Sequence, residues 1–155
     1  MVKIIDLIDP QCIKLELEAR KRKELTEEMA ELLFQSGKIR QKEKVEEIMT
    51  EREKKGSSGI GEGIAIPHII SSEVSQTLMA FGQSKKGIHF ASIDGKPIYL
   101  VFLLIGPAND AMLHLKILAK LCRFLHNSLF KEALLNANNK EEIIQAFAEE
   151  EKREG

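Results

Sequence analysis

The chain is poor in cysteine, and its two, Cys12 and Cys122, stand far apart with none of the short spacings of a metal site. Each adjoins an apolar residue, Ile13 and Leu121, so both read as reduced, packed thiols of a cytoplasmic protein. Net charge is equally scarce. The sequence has 23 basic and 24 acidic residues, a balance of −1, which supplies no broad field for nucleic acid. The basic run Arg20-Lys21-Arg22-Lys23 leads straight into Glu24 and reads as a solvated connection. No stretch nears the roughly 20 apolar residues of a membrane span. Asp6 and Asp9 sit among the first apolar residues without a basic segment before them, which argues against a secretory signal. No Gly-Lys-Ser/Thr follows the glycines, and Gly61 to Ile66 lacks the last glycine of a dinucleotide fingerprint. No repeat or low-complexity linker divides the chain. Nucleotide use, membrane insertion, a cofactor and a resident metal are therefore all unexpected. A zinc ion on His68, His114 and Glu62 is chemically conceivable, but no spacing demands it.

What remains is a chain of 155 residues, 43% hydrophobic and 30% charged, suited to one domain with a sizeable core. Ile13, Leu15 and Leu17 alternate with charged residues, the period of a half-buried strand. From about Lys23 the period becomes helical through Leu25, Met29, Leu32 and Leu33, with Gly37 as a stop. A second helix is predicted over 41–55, with Val45, Ile48, Met49 and Arg52 on one stripe. Residues 77–81 and 98–105 read as strands, the latter apolar enough to be central, with a turn at Asp94-Gly95 between them. Asn109 or Asp110 caps a third helix striped by His114, Ile117, Leu118, Leu121, Cys122 and Leu125. Two short helices follow, the last opened by an Asn139/Glu142 capping box, and residues 149–155 form a charged tail expected to fray. Strands interleaved with helices predict a single α/β domain over 1–155, with its core at about 5–148.

The most informative stretch is Gly59-Ile60-Gly61-Glu62-Gly63-Ile64-Ala65-Ile66-Pro67-His68. Alternate glycines free the backbone for tight turns, and the apolar run Ile64 to Ile66 reads as a short buried strand that stops at Pro67. His68 is thus presented at the end of a rigid strand beside a glycine loop. That setting suits a nucleophile or general base.

With Arg52-Glu53 and Ser57-Ser58 before it, this stretch resembles the signature of enzyme IIA of the fructose and mannitol type. These are the histidine-phosphorylated subunits of the bacterial sugar phosphotransferase system, and their relatives include nitrogen-regulatory IIA proteins. The resemblance runs from Ile5 to about Phe147 and implies a mixed β-sheet flanked by helices. It implies that His68 accepts a phosphoryl group from the histidine-containing phosphocarrier protein and passes it to a cysteine of a IIB protein. It places a second active-site histidine at His114 and an active-site arginine at Arg52.

Each candidate also has a plainer reading. His114 lies about one turn into its helix, where dipole and N–H groups attract anions, yet a histidine on an apolar stripe is commonly a core residue. Arg52 can cap helix carbonyls as readily as grip phosphate oxygens. Glu62 can orient an imidazole or be a solvated loop carboxylate. Ser58, where the family commonly has threonine, is expected to make a turn hydrogen bond. His89 and His126 lack supporting neighbours. Ile69-Ile70 departs from the small or basic residue usual after the histidine, and with Ile60 offers an apolar rim or part of the core. The sequence shows no fused IIB or IIC segment, which suits a regulatory protein or a separate fructose-type subunit equally. In the regulatory reading, phosphorylation of His68 switches binding to regulatory proteins, with no onward transfer.

Overall fold

The computed structural model describes residues 2–154. A six-stranded mixed sheet runs in the order β1-β5-β6-β3-β2, with β4 also paired to β6. Its members are β1 (Ile8–Lys14), β2 (Gly59–Gly61), β3 (Ile64–Ala65), β4 (His68–Ile70), β5 (Leu78–Ile88) and β6 (Ile98–Gly106). Helices α1 (Arg22–Gln35) and α2 (Lys42–Lys54) precede β2, while α3 (Ala111–Leu125), α4 (Ser128–Asn136) and α5 (Lys140–Glu154) follow β6.

The apolar run expected to be central is central. β6 pairs antiparallel with β5 and parallel with both β3 and β4. Its side chains alternate between faces and both faces are covered, so the whole run is apolar. Val101, Leu103 and Ile105 meet Leu25, Met29, Leu33, Val45 and Met49 of α1 and α2. Leu100, Phe102 and Leu104 meet Ile117, Leu121, Phe124 and Phe147 of α3 and α5. On that second face the rings of Phe81, Phe102, Phe130 and Phe147 pack tilted or edge-on, with centroids 5.1–6.2 Å apart.

Local signals explain several boundaries. After α1, Lys38 N donates to Leu33 O and Gly37 N to Phe34 O, the paired bonds of a glycine-terminated helix. Asn139 accepts from Glu142 N at the start of α5, as the capping-box spacing predicts, although Glu142 reaches back to Asn138 N. Asp110 stands at the N-cap of α3 without a side-chain bond to it.

Three expectations change. The first strand lies earlier than the Ile13–Leu17 alternation, because Glu16 takes a φ of 56° and ends it. Leu17 is still buried, its N–H donating to Gln83 O of β5. The segment from Glu149 is helical through Glu154, since Glu150 is buried beside Asn127 and Glu151 ties Ile5 N and Lys120. Cys122 is exposed, because the α3 stripe rotates to bury Lys120 and Phe124 in its stead. A buried glutamine had no signal in the sequence. Gln83 Nε2 donates to the carbonyls of Leu134, Leu135 and Ala137 at 2.7–3.3 Å and so closes the C-terminal end of α4.

Candidate functional site

Ile64 to Ile70 is one extended path along β6, interrupted at Ile66-Pro67. Ile64 faces Leu100 and His68 faces Leu104, so four residues on one strand oppose four on the other. Pro67 has no N–H for the ladder, but its carbonyl accepts from Leu104 N at 2.8 Å, so the path continues and His68 opens β4. Partners in a parallel pair point to the same face. His68 therefore points with Leu104 toward the α3 layer, and Ile69 points with Ile105 into the opposite core.

The half-buried His68 ring is fixed by main chain. Nδ1 lies 2.9 Å from Ile66 O, and because a carbonyl only accepts, Nδ1 carries the proton. Ile66 is held in turn, its N–H donating to Ser58 O at 2.9 Å. Ser58, buried, donates its N–H and hydroxyl to the carboxylate of Glu53, which lies 3.7 Å from Arg22 Nη1. This is the turn hydrogen bond expected of Ser58. Glu53 was not anticipated, although it adjoins Arg52 in the signature.

With Nδ1 protonated, a neutral ring leaves its lone pair on Nε2. There Arg52 Nη2 stands 3.4 Å away, while Arg52 Nη1 donates to Gly56 O at 2.9 Å. The arginine thus braces the turn that follows α2 and reaches the imidazole at the same time. A shallow cleft of about 470 Å³ opens here, lined by Ile48, Arg52, Lys55, His68 and Ile70.

His114, at the fourth position of α3, places its ring centroid 6.1 Å from that of His68. It is only 5% exposed. Burial, and secondarily the neighbouring His68, hold its pKa below the ordinary imidazole value and favour the neutral ring. The structure brings His68, Arg52 and His114 together.

It does not bring Glu62. That residue takes a φ of 56° in the turn between β2 and β3, flanked by Gly61 and Gly63, which also have positive φ. Its carboxylate is 77% exposed and lies 3.4 Å from Lys131, and its N–H donates to Asp94. From Ile64 to His68 alone the extended chain covers about 13 Å, so Glu62 reaches neither the ring nor a metal shared by the two histidines. The ring-orienting role is taken by Ile66 O. For the same reason the glycines do not flank His68: they shape the far hairpin, where a Cβ on Gly63 would lie 3.1 Å from Tyr99. Ile69 is core, whereas Ile70 and Ile60 are exposed, as are Met112 and Leu115 beside His114. His89 and His126 are exposed and take no part in the site.

Among the described residues, no cluster of three or more His, Cys, Asp or Glu side chains is arranged to hold a metal, and no helix is long and apolar enough to cross a membrane. A larger cleft of about 1200 Å³ lies between α3, α5 and the N-terminal segment. Its buried Lys120 is engaged by Glu151 and the Val2 carbonyl, so we assign no chemistry to it.

A site of this kind offers one nitrogen nucleophile, held in orientation by main chain, with a guanidinium and a neutral imidazole around it. Comparisons with known proteins show the family of the chain. Residues 6–150 match the family described as phosphoenolpyruvate-dependent sugar phosphotransferase system, EIIA 2. The chain is 34% identical over 97% of its length to the fructose-specific EIIABC component of Bacillus subtilis, of which it spans 24%. It is 33% identical to the fructose-specific EIIA component of Haloferax volcanii, covering 94% of this chain and 95% of that one. The solved structure of the nitrogen regulatory protein IIA-Ntr from Neisseria meningitidis superposes with a TM-score of 0.86 at 33% identity, covering 93% and 98% of the two chains. With its fold, its signature and these matches in agreement, the chain belongs to the EIIA type 2 family of the phosphoenolpyruvate-dependent sugar phosphotransferase system.

Proposed function

We propose that this protein is a phosphocarrier whose acceptor is Nε2 of His68. The observation that carries the reading is the Nδ1–H bond to Ile66 O, which leaves Nε2 as the nucleophilic nitrogen and points it at Arg52. In the first step the Nε2 lone pair attacks the phosphorus carried by a histidine of the phosphocarrier protein. The new N–P bond forms as the donor N–P bond breaks, and the donor imidazole leaves with that electron pair. In the second step a cysteine thiolate of a IIB protein attacks the same phosphorus, and His68 leaves with its lone pair restored. Neither step needs a nucleotide. Arg52, with Nη1 held on Gly56 O, supplies the N–H of Nη2 to an equatorial oxygen, and His114 donates one further hydrogen bond. Ile70, Met112 and Leu115 form apolar surface that both partners cover in turn.

A second reading is supported by the match to the nitrogen regulatory protein: phosphorylation of His68 adds charge to this face and switches a regulatory partner on or off it. Incubation with phosphoenolpyruvate, enzyme I and the phosphocarrier, followed by intact mass, tests the acceptor. Uptake of one acid-labile phosphate is expected in the parental protein and none in His68→Ala; undiminished uptake by that variant would sink the assignment. Mixing the phosphorylated protein with candidate IIB proteins then separates the two readings, because only the transport reading expects the phosphate to leave.

A further inference from the structure

Four buried side-chain polar atoms among the described residues lack a hydrogen-bond partner, and two of them share one small space. His114 Nδ1 and Thr77 Oγ1 both lie beside Gly106, the last residue of β6. A Cβ on Gly106 would stand 2.6 Å from Thr77 Oγ1 and 3.2 Å from His114 Nδ1. Gly106 is not among the glycines with positive φ, so its backbone does not call for glycine. What the missing side chain provides is room between a hydroxyl and an imidazole nitrogen. Thr77 and His114 are both more than nine-tenths buried, so bulk water is not the partner of either atom.

We propose that Thr77 is a positioning residue whose hydroxyl donates to His114 Nδ1 through one water over Gly106, and thereby places the ring proton on Nε2. The physical reason is the limited capacity of a neutral imidazole: one nitrogen donates and the other accepts. A donor at Nδ1 makes Nδ1 the acceptor, and Nε2 must then carry the hydrogen. Nε2 is the nitrogen not enclosed beside Gly106. In the N–H form it can donate to a phosphoryl oxygen on His68; the other tautomer would turn a lone pair toward that oxygen. A buried nitrogen left unpaired is costly, so the pairing also favours the folded state. The two histidines of the site are then set as opposite tautomers by different partners. Ile66 O holds the proton on Nδ1 of His68, and Thr77 holds it on Nε2 of His114. Thr77 immediately precedes β5, where Leu78 pairs with Ile105, and that register brings it beside Gly106.

The consequence for transfer rests on reading His68 as the phosphoacceptor, but the tautomer can be read without phosphate. Long-range ¹H–¹⁵N NMR of the imidazoles in the unphosphorylated protein should show His114 as the Nε2–H form. Thr77→Val, which keeps the volume and removes the hydroxyl, should let the Nδ1–H form appear, and Thr77→Ser should restore the parental pattern. In the transfer assay Thr77→Val should pass phosphate to its partner on the order of tenfold more slowly, the equivalent of one hydrogen bond. A parental His114 in the Nδ1–H form overturns the proposal without any variant, as does an unchanged tautomer in folded Thr77→Val. Absence of phosphate uptake on His68 would refute the phosphocarrier reading while leaving the tautomer result intact.

Discussion

Replacing Arg52 by lysine isolates what the guanidinium contributes. In the parental protein one arm of the fork donates to Gly56 O at 2.9 Å and the other stands 3.4 Å from His68 Nε2. A lysine ammonium is a compact point charge and cannot hold the Gly56 carbonyl and a phosphoryl oxygen with the same fixed geometry. The variant keeps the charge and loses about one charge-assisted hydrogen bond in the transition state. Such a bond contributes roughly 1.5–3 kcal/mol, equivalent to about 10-fold to 150-fold in rate. Arg52 is half-buried, and solvent screening moves the expectation toward the lower end, about 10- to 30-fold. Stability should barely change, because the bond to Gly56 O is exposed. Rapid-quench phosphorylation by the phosphocarrier, read by intact mass, gives the rate, and a thermal melt gives the control. A rate for Arg52→Lys within about twofold of parental would refute the reasoning. A melting temperature lowered enough to explain the loss would show that Arg52 acts through the fold.

Three further outcomes follow from the packing. Gln83→Leu removes the donor to three carbonyls at the end of α4 and should cost about 1–3 kcal/mol in urea unfolding; a loss under about 0.5 kcal/mol would mean those carbonyls find other partners. The lowered pKa of His114 makes stability fall on acidification: the unfolded ring binds a proton from about pH 6.5, the native ring only at lower pH, and the decline spans that interval. His114→Gln should flatten this part of the profile, and an equal decline in the variant would assign it elsewhere. Thiol labelling should be sequential, since Cys122 is exposed while burial pushes the Cys12 thiol up. Two equally fast thiols in the native protein would contradict the packing of β1.

Local signals in the sequence settled much of this protein. Continuous Val, Leu, Ile and Phe from 98 to 105 required a strand covered on both faces. Helical periods around Leu25, Val45 and Ile117 gave three helices, Gly37 gave the end of the first, and Asn139 gave the start of the last helix in the chain. Pro67-His68 after a short apolar run marked a supported histidine, and the family resemblance pointed to Arg52 and His114, which the fold brings beside it. Glu62 was misjudged for the opposite reason. Closeness in sequence to His68 counts as distance once the chain between them is extended, at about 3.3 Å per residue.

Only the tertiary structure decided which face each strand residue takes and what crosses the gaps. Pairing with Leu104 turned His68 toward α3, the Ile66 carbonyl chose the ring nitrogen that carries the proton, and the rotation of α3 exposed Cys122. Gln83 and Thr77 had no signal of their own, because a buried polar residue takes its meaning from partners far away along the chain. The sequence determined that a histidine would be presented. The fold determined which nitrogen it offers and what surrounds it, because those depend on directions in space that residue spacing does not encode.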